Sequence, residues 1–130
     1  MQLRNICKSK IHHGVVTGAD LNYIGSIGID AALMKLADLV TGEKVAVWNL
    51  SNGARIETYA IPLPEDSGDI IVNGAAAHHF TPGDRVIIVA FLLTDEVIEP
   101  RMILVDETNS FVRWLPKEEL LSIDVRDPFA

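Results

Sequence analysis

A chain of 130 residues, 48% of them apolar and 22% charged, reads as one soluble globular domain with room for a real core. Its formal net charge of −7 offers no basic stripe to nucleic acid or an anionic membrane, so an anionic substrate must be captured by a few locally placed cations. The longest apolar run, the eight residues Val86 to Leu93, is too short to span a bilayer, the N-terminus lacks the apolar core of a signal peptide, and the single cysteine, Cys7, excludes an intrachain disulfide, so a cytoplasmic protein is expected.

Residues 2–17 alternate loosely and read as a bent strand or strand pair. Lys10 and His12 lie two apart and share a face there, with His13 directed to the other. A turn over Asp20–Ser26 leads to a short strand, Ile27-Gly28-Ile29. Asp30 then stands as an N-cap, and Leu33, Leu36, Ala37 and Val40 predict an amphipathic helix over 31–40, with Gly42 as its stop. Val45 to Leu50 is a strand, Ser51-Asn52-Gly53 a hairpin turn, and Arg55 to Ile61 the returning strand. Alternation puts Arg55, Glu57 and Tyr59 on one face and Ile56, Thr58 and Ala60 on the other. A surface loop over 62–68, Pro62 to Gly68, precedes a strand at Ile70–Val72, which runs into Asn73-Gly74-Ala75-Ala76-Ala77.

An internal echo follows. Thr41-Gly42-Glu43-Lys44-Val45-Ala46-Val47 resembles Pro82-Gly83-Asp84-Arg85-Val86-Ile87-Ile88 position by position. Two copies are too few for a solenoid and predict a closed barrel of two interlocked halves. Residues 85–93 are apolar on both faces, which predicts a buried central strand. Met102–Val105 is a further strand, with Phe111–Leu115 pairing back onto it. Pro116–Ser122 reads as a short helix and Asp124–Ala130 as a tail.

The chain lacks a phosphate loop, a dinucleotide-binding glycine fingerprint and a nucleophile elbow. Its four histidines form two adjacent pairs, His12-His13 and His78-His79, whose members diverge on a strand, so no metal site is expected. The Gly25–Ser26 bond allows sharper chemistry. Gly25 has no Cβ, which opens its carbonyl to close approach and its backbone to strained angles. The Ser26 hydroxyl could attack that carbonyl in an N→O acyl shift, and elimination across Cα–Cβ would then cut the chain and leave a ketone. The plain alternative is a Gly-Ser turn. Lys10, Ser26, Trp48, Arg55, Thr58, Tyr59, Asn73 and the Gly74-Ala75-Ala76 run are singletons that could converge on one site or serve ordinary core, turn and surface roles.

Lys10-Ile-His12, the run Thr17 to Asp30, Trp48-Asn49, Asn52-Gly53-Ala-Arg55-Ile-Glu-Thr58-Tyr59 and Asn73 to His78 stand together in the order and spacing of one family. From about Lys10 to Val105 the chain resembles the pyruvoyl-dependent aspartate 1-decarboxylases, which make β-alanine and CO2 from L-aspartate for pantothenate and coenzyme A synthesis. The resemblance implies a mainly β fold, a double-psi β-barrel with short helices, in accord with the duplication. It implies a homotetramer with sites between subunits and leaves a place for a maturation helper protein. It implies self-cleavage at Gly25–Ser26 into a small chain, 1–25, and a large chain, 26–130, whose Ser26 becomes the pyruvoyl group. That group would hold substrate as a Schiff base and replace pyridoxal phosphate.

By the same resemblance Thr58 assists processing and contacts substrate, and Tyr59 is the proton donor. Lys10 and Arg55 bind carboxylates, Gly74, Ala75 and Ala76 hold substrate through their backbone, and Asn73 lies beside the pyruvoyl group. Three positions depart from the family pattern: Ile56 stands where Phe is usual, Glu57 where a small polar residue is common, and His13 where Arg is frequent. Two other readings stay open from the residues, a non-catalytic barrel that keeps Gly25–Ser26 intact and a pyruvoyl decarboxylase of another amino acid such as glutamate.

Overall fold

The computed structural model describes residues 1–116. The short helix expected over 116–122 falls outside them in all but its first residue, and the tail at 124–130 falls outside entirely. The described residues form β1 (Arg4–Val15), β2 (Gly18–Asp20), β3 (Ser26–Asp30), α1 (Ala31–Leu36), β4 (Lys44–Asn49), β5 (Arg55–Leu63), β6 (Ile70–Asn73), a 3-10 helix (Gly74–His79), β7 (Arg85–Thr94), β8 (Arg101–Val105) and β9 (Phe111–Trp114).

The strands make one mixed sheet in the order β2-β6-β3-β5-β4-β7-β1-β8-β9. The sheet is barrel-like because β1 runs straight into β2, which lies at the far end of that order. At their junction the Val16 amide donates to the Asp84 carbonyl at 2.9 Å and the Thr17 amide to the Ile70 carbonyl at 2.8 Å. Ile11, Ile88, Val47 and Ile56 form one register row across β1, β7, β4 and β5, on the face turned to the core. Lys10, Val89, Ala46 and Glu57 form the next row, on the opposite face, and His12, Ile87, Trp48 and Arg55 the one after.

The sequence echo is a structural one. β4 and β7 pair antiparallel with Val47 opposite Ile88, the positions matched by the duplication. Gly42 and Gly83 both have positive φ, +86° and +97°. The Glu43 carboxylate accepts from the Val40 amide at 3.1 Å, and the Asp84 carboxylate from the Thr81 amide at 2.9 Å. The Gly42 amide donates to the Ala60 carbonyl and the Gly83 amide to the Val16 carbonyl, at 2.8 and 2.7 Å. Both halves thus enter their strand through the same turn.

Three expectations change. The helix ends at Leu36, not at 40, because Asp38 takes a left-handed φ of 58° and the Leu39 amide donates to the Met34 carbonyl at 2.8 Å. The Lys8 ammonium, which bonds the Asp38 carbonyl and pairs with Glu43 at 3.1 Å, holds that turn in place. β5 continues through Pro62 to Leu63, since parallel pairing with β3 sets Pro62 against Ile29. Asn73 ends β6, and Gly74–His79 coil into the 3-10 helix. β7 is central and buried only to Ala90: Phe91 and Leu93 are 47% and 60% exposed, so its outer end carries an uncovered apolar surface.

Candidate active site

Ser26 opens β3, opposite Asn73 at the end of β6. Its side chain is buried, and its hydroxyl is held at both ends: Asn73 Nδ2 donates to Ser26 Oγ at 3.1 Å, and Ser26 Oγ donates to the Ile24 carbonyl at 3.2 Å. The glycine with left-handed backbone is the one after Asn73, not Gly25. Gly74 has φ +75°, whereas Gly25 is not among the positive-φ residues. A Cβ on Gly74 would lie 2.7 Å from Gly25 Cα and 3.3 Å from the Tyr23 carbonyl oxygen. A Cβ on Gly25 would meet nothing within 4 Å. The backbone of residue 74 therefore packs closely on the main chain of Gly25, just ahead of the Gly25–Ser26 bond, while space is left at the position of a Gly25 side chain.

Ile27 lies opposite Ala60 as the first pair of the parallel β3–β5 ladder, and Gly25-Ser26 and Thr58-Tyr59 are the residues that lead into that pair on the two chains. Tyr59 is 38% exposed on the outer face, and Thr58 is half-buried on the other. After Gly74 the 3-10 helix leaves Ala75 exposed and packs Ala76 against the core. Gly25, Ser26, Asn73 and Gly74 are thus in direct contact, with Thr58 and Tyr59 leading into the adjoining β3–β5 pair.

Lys10 and Arg55 belong to a second group. Arg55 stacks its guanidinium over the Trp48 ring, 4.4 Å from the centroid. It lies four residues from Tyr59 on the same strand face, about 13 Å away. Lys10 shares that outer face but is separated from β5 by β7 and β4, about 14 Å across the sheet. Within one chain the main-chain positions of the two cations are thus separated by two intervening strands, and that of Arg55 lies four residues along β5 from Tyr59. The departures from the family pattern are accommodated locally: Ile56 packs against the core, and Glu57 pairs with Lys44 at 2.6 Å.

His12 and His13 do not diverge as expected. A bulge between His12 and Gly14 puts His13 at φ 66°, and the two rings stack with centroids 4.1 Å apart. Burial first, then the charges of His13 and Lys10, push the His12 pKa down to about 4. Among the described residues no group of three or more His, Cys, Asp or Glu is placed to hold a metal ion. Nor is any helix among them long and apolar enough to cross a membrane.

Sequence reading missed the Ile24 carbonyl as the Ser26 hydroxyl's acceptor, since a main-chain acceptor leaves no side-chain signal. It also read Asn49 and Asn52 as strand and turn residues only, although both side chains bond the His79 carbonyl, at 3.0 and 2.9 Å.

A model of the aspartate decarboxylase family matches residues 1–112. The chain is 52% identical over 110 residues to an aspartate 1-decarboxylase of Moorella thermoacetica, covering 82% of this chain and 86% of the relative. It is 47% identical over 120 residues to one of Listeria monocytogenes (89% and 94% covered) and 50% identical over 114 residues to one of Corynebacterium efficiens (85% and 84% covered). With its Gly25–Ser26 junction, and with likeness to these relatives over most of its length, the chain belongs to the aspartate decarboxylase family.

Proposed function

We propose that this chain cleaves itself between Gly25 and Ser26 and then decarboxylates L-aspartate to β-alanine and CO2, supplying pantothenate and coenzyme A synthesis. The observation that carries the reading is the built Gly25–Ser26 junction. Ser26 Oγ is held between Asn73 and the Ile24 carbonyl, Gly74 packs on the Gly25 backbone, and space remains at Gly25. A surface Gly-Ser turn needs none of this.

In the cleavage, Ser26 Oγ attacks the Gly25 carbonyl carbon, its proton passes to the Ser26 nitrogen, and the amide becomes an ester. Loss of the Ser26 Cα proton then breaks the Cβ–O bond and releases Gly25 as a carboxylate. Water adds at the Ser26 Cα and ammonia leaves. The products are a small chain, 1–25, and a large chain, 26–130, that begins with a pyruvoyl group. Asn73 orients the attacking hydroxyl, and Thr58, on the stretch of β5 that leads into its pairing with β3, assists at the carbonyl.

The ketone so formed supplies the electron sink for the pair left behind by CO2, a task otherwise given to pyridoxal phosphate. The chain's other residues bind and orient. Lys10 and Arg55 pair with the two substrate carboxylates, in keeping with a net charge that otherwise repels them. Trp48 fixes the Arg55 guanidinium by stacking. The backbone of Gly74, Ala75 and Ala76 lines the substrate, and Tyr59 donates the proton to Cα.

Because β7 and β4 separate Lys10 from β5, which carries Arg55 and Tyr59, we read the site as completed by a second copy in a homotetramer. The uncovered apolar end of β7 supports self-association. The paired turns at Gly42 and Gly83, with β3 parallel to β5 and β2 parallel to β6, support a double-psi β-barrel. The test is CO2 release from individual amino acids. Release from aspartate well above that from glutamate is expected. Release from glutamate alone would move the substrate, and release from neither by cleaved protein would end the enzyme reading.

A further inference from the structure

The Trp48-Asn49 and Asn52-Gly53 motifs flank Arg55, yet the chemistry above uses neither asparagine. Both amides point the same way. Asn49 Nδ2 donates to the His79 carbonyl at 3.0 Å and to Asp84 Oδ2 at 2.8 Å, and Asn52 Nδ2 donates to the same His79 carbonyl at 2.9 Å. Their oxygens meanwhile shape the turn: Asn49 Oδ1 accepts from the Ser51 amide at 2.9 Å and Asn52 Oδ1 from the Ala54 amide at 2.8 Å. Asn49 is buried.

His79 is the last residue of the 3-10 helix, whose first residue, Gly74, packs on Gly25. The same turn leads directly into Arg55, and Trp48, under its guanidinium, precedes it. The β4–β5 turn is therefore bolted to the far end of the element that packs on Gly25. We infer that Asn49 and Asn52 are positioning residues, which clamp the His79 carbonyl and so hold the Gly74–Ala76 backbone in register with both the Gly25–Ser26 bond and the Arg55–Trp48 pair. A 3-10 helix of this length has few internal bonds, so its position depends on such external ties. The inference rests on the proposed chemistry for its consequence, though not for its geometry.

Asn52→Asp and Asn52→Ser separate the two jobs of that side chain. Each keeps an oxygen for the Ala54 amide; Asp has no donor for the His79 carbonyl, and the Ser hydroxyl is one bond too short to replace the amide nitrogen there. Asn52 is exposed, so both variants should fold with a melting temperature close to wild type. Hydrogen exchange of the Phe80 amide, which donates to the Ala77 carbonyl at 3.4 Å, should speed up about fivefold, the equivalent of one lost hydrogen bond. Cleavage at Gly25–Ser26 should slow, and KM for aspartate should rise, by about the same factor. The neutral Ser variant guards against a charge effect of Asp on Arg55.

Unchanged exchange at the 3-10 helix in both variants would overturn the clamp. So would faster exchange with cleavage and KM both at wild-type values. If wild type itself neither cleaves nor decarboxylates, the functional reading has failed, and the exchange arm alone decides whether the asparagines position the helix.

Discussion

The Ser26 junction and the Lys10–Arg55 face are built in opposite ways. At the junction the reacting hydroxyl is held by groups of the same chain: Asn73 and the Ile24 carbonyl bond it, and Gly74 packs on the Gly25 main chain. On the outer face the functional groups stand in or near solvent, with Arg55 on Trp48, Tyr59 partly exposed and Lys10 across two strands. On the proposed reading, self-cleavage is an intrachain event set by close packing, and substrate capture is a surface property that becomes a pocket only when another copy covers it. Changes at the first region should therefore stop the cut, and changes at the second should spare the cut and damage turnover.

The most severe break is Gly74→Ala. A left-handed alanine costs about 1–2 kcal/mol by itself, and its Cβ would sit 2.7 Å from Gly25 Cα. We expect cleavage to be abolished, as read by gel mobility after denaturation, with the fold retained at a lower melting temperature. A Gly74→Ala chain that still cuts at the normal rate would show that the junction tolerates displacement.

Next in size is Tyr59→Phe. It should be cleaved as wild type and lose about a hundredfold or more in kcat, as removal of a general acid does. Equal loss of cleavage and turnover would blur the two regions into one. Arg55→Ala should also cut normally, with KM for aspartate raised about tenfold to a hundredfold by loss of a charge-assisted contact. If kcat falls while KM holds, Arg55 acts in the chemical step and not in capture.

The smallest effect concerns pH. The His12 pKa is about 4 in the folded chain against an ordinary 6.5. Between those values the unfolded chain binds more protons, so stability falls as pH is lowered through that window. Asp106, held below its ordinary value mainly by the Thr108 hydroxyl, loses stability in the same direction at lower pH. Urea melts from pH 7 to 4 should show the decline. His12→Gln should flatten the part above pH 4, and an unaltered profile would remove His12 as its source.

Much of this was legible in the residues. The Asp30 cap, the Asn52-Gly53 hairpin, the alternation of Arg55 to Ala60 and the duplicated turn each rest on local chemistry, and each has its counterpart in the fold. What local patterns could not carry was tertiary. Asp38 ends α1 because Lys8, thirty positions earlier, binds its carbonyl. Val40, placed on the apolar stripe by spacing, is 63% exposed as a result. Gly25 looked like the strained residue because it adjoins Ser26, yet the left-handed backbone belongs to Gly74, forty-eight positions beyond Ser26, and only the β3–β6 pairing shows why. The outer end of β7 reads as core by composition, but Phe91 and Leu93 there are not covered by any of the described residues.

The central claim, that this junction cuts itself, is tested most directly by the intact mass of purified, denatured protein. Two fragments meeting between residues 25 and 26 are expected, the larger carrying a terminal ketone that reacts with hydrazine or borohydride, and Ser26→Ala should yield one uncut chain. A wild-type chain that stays whole after prolonged warming, with Ser26 intact, would contradict the account.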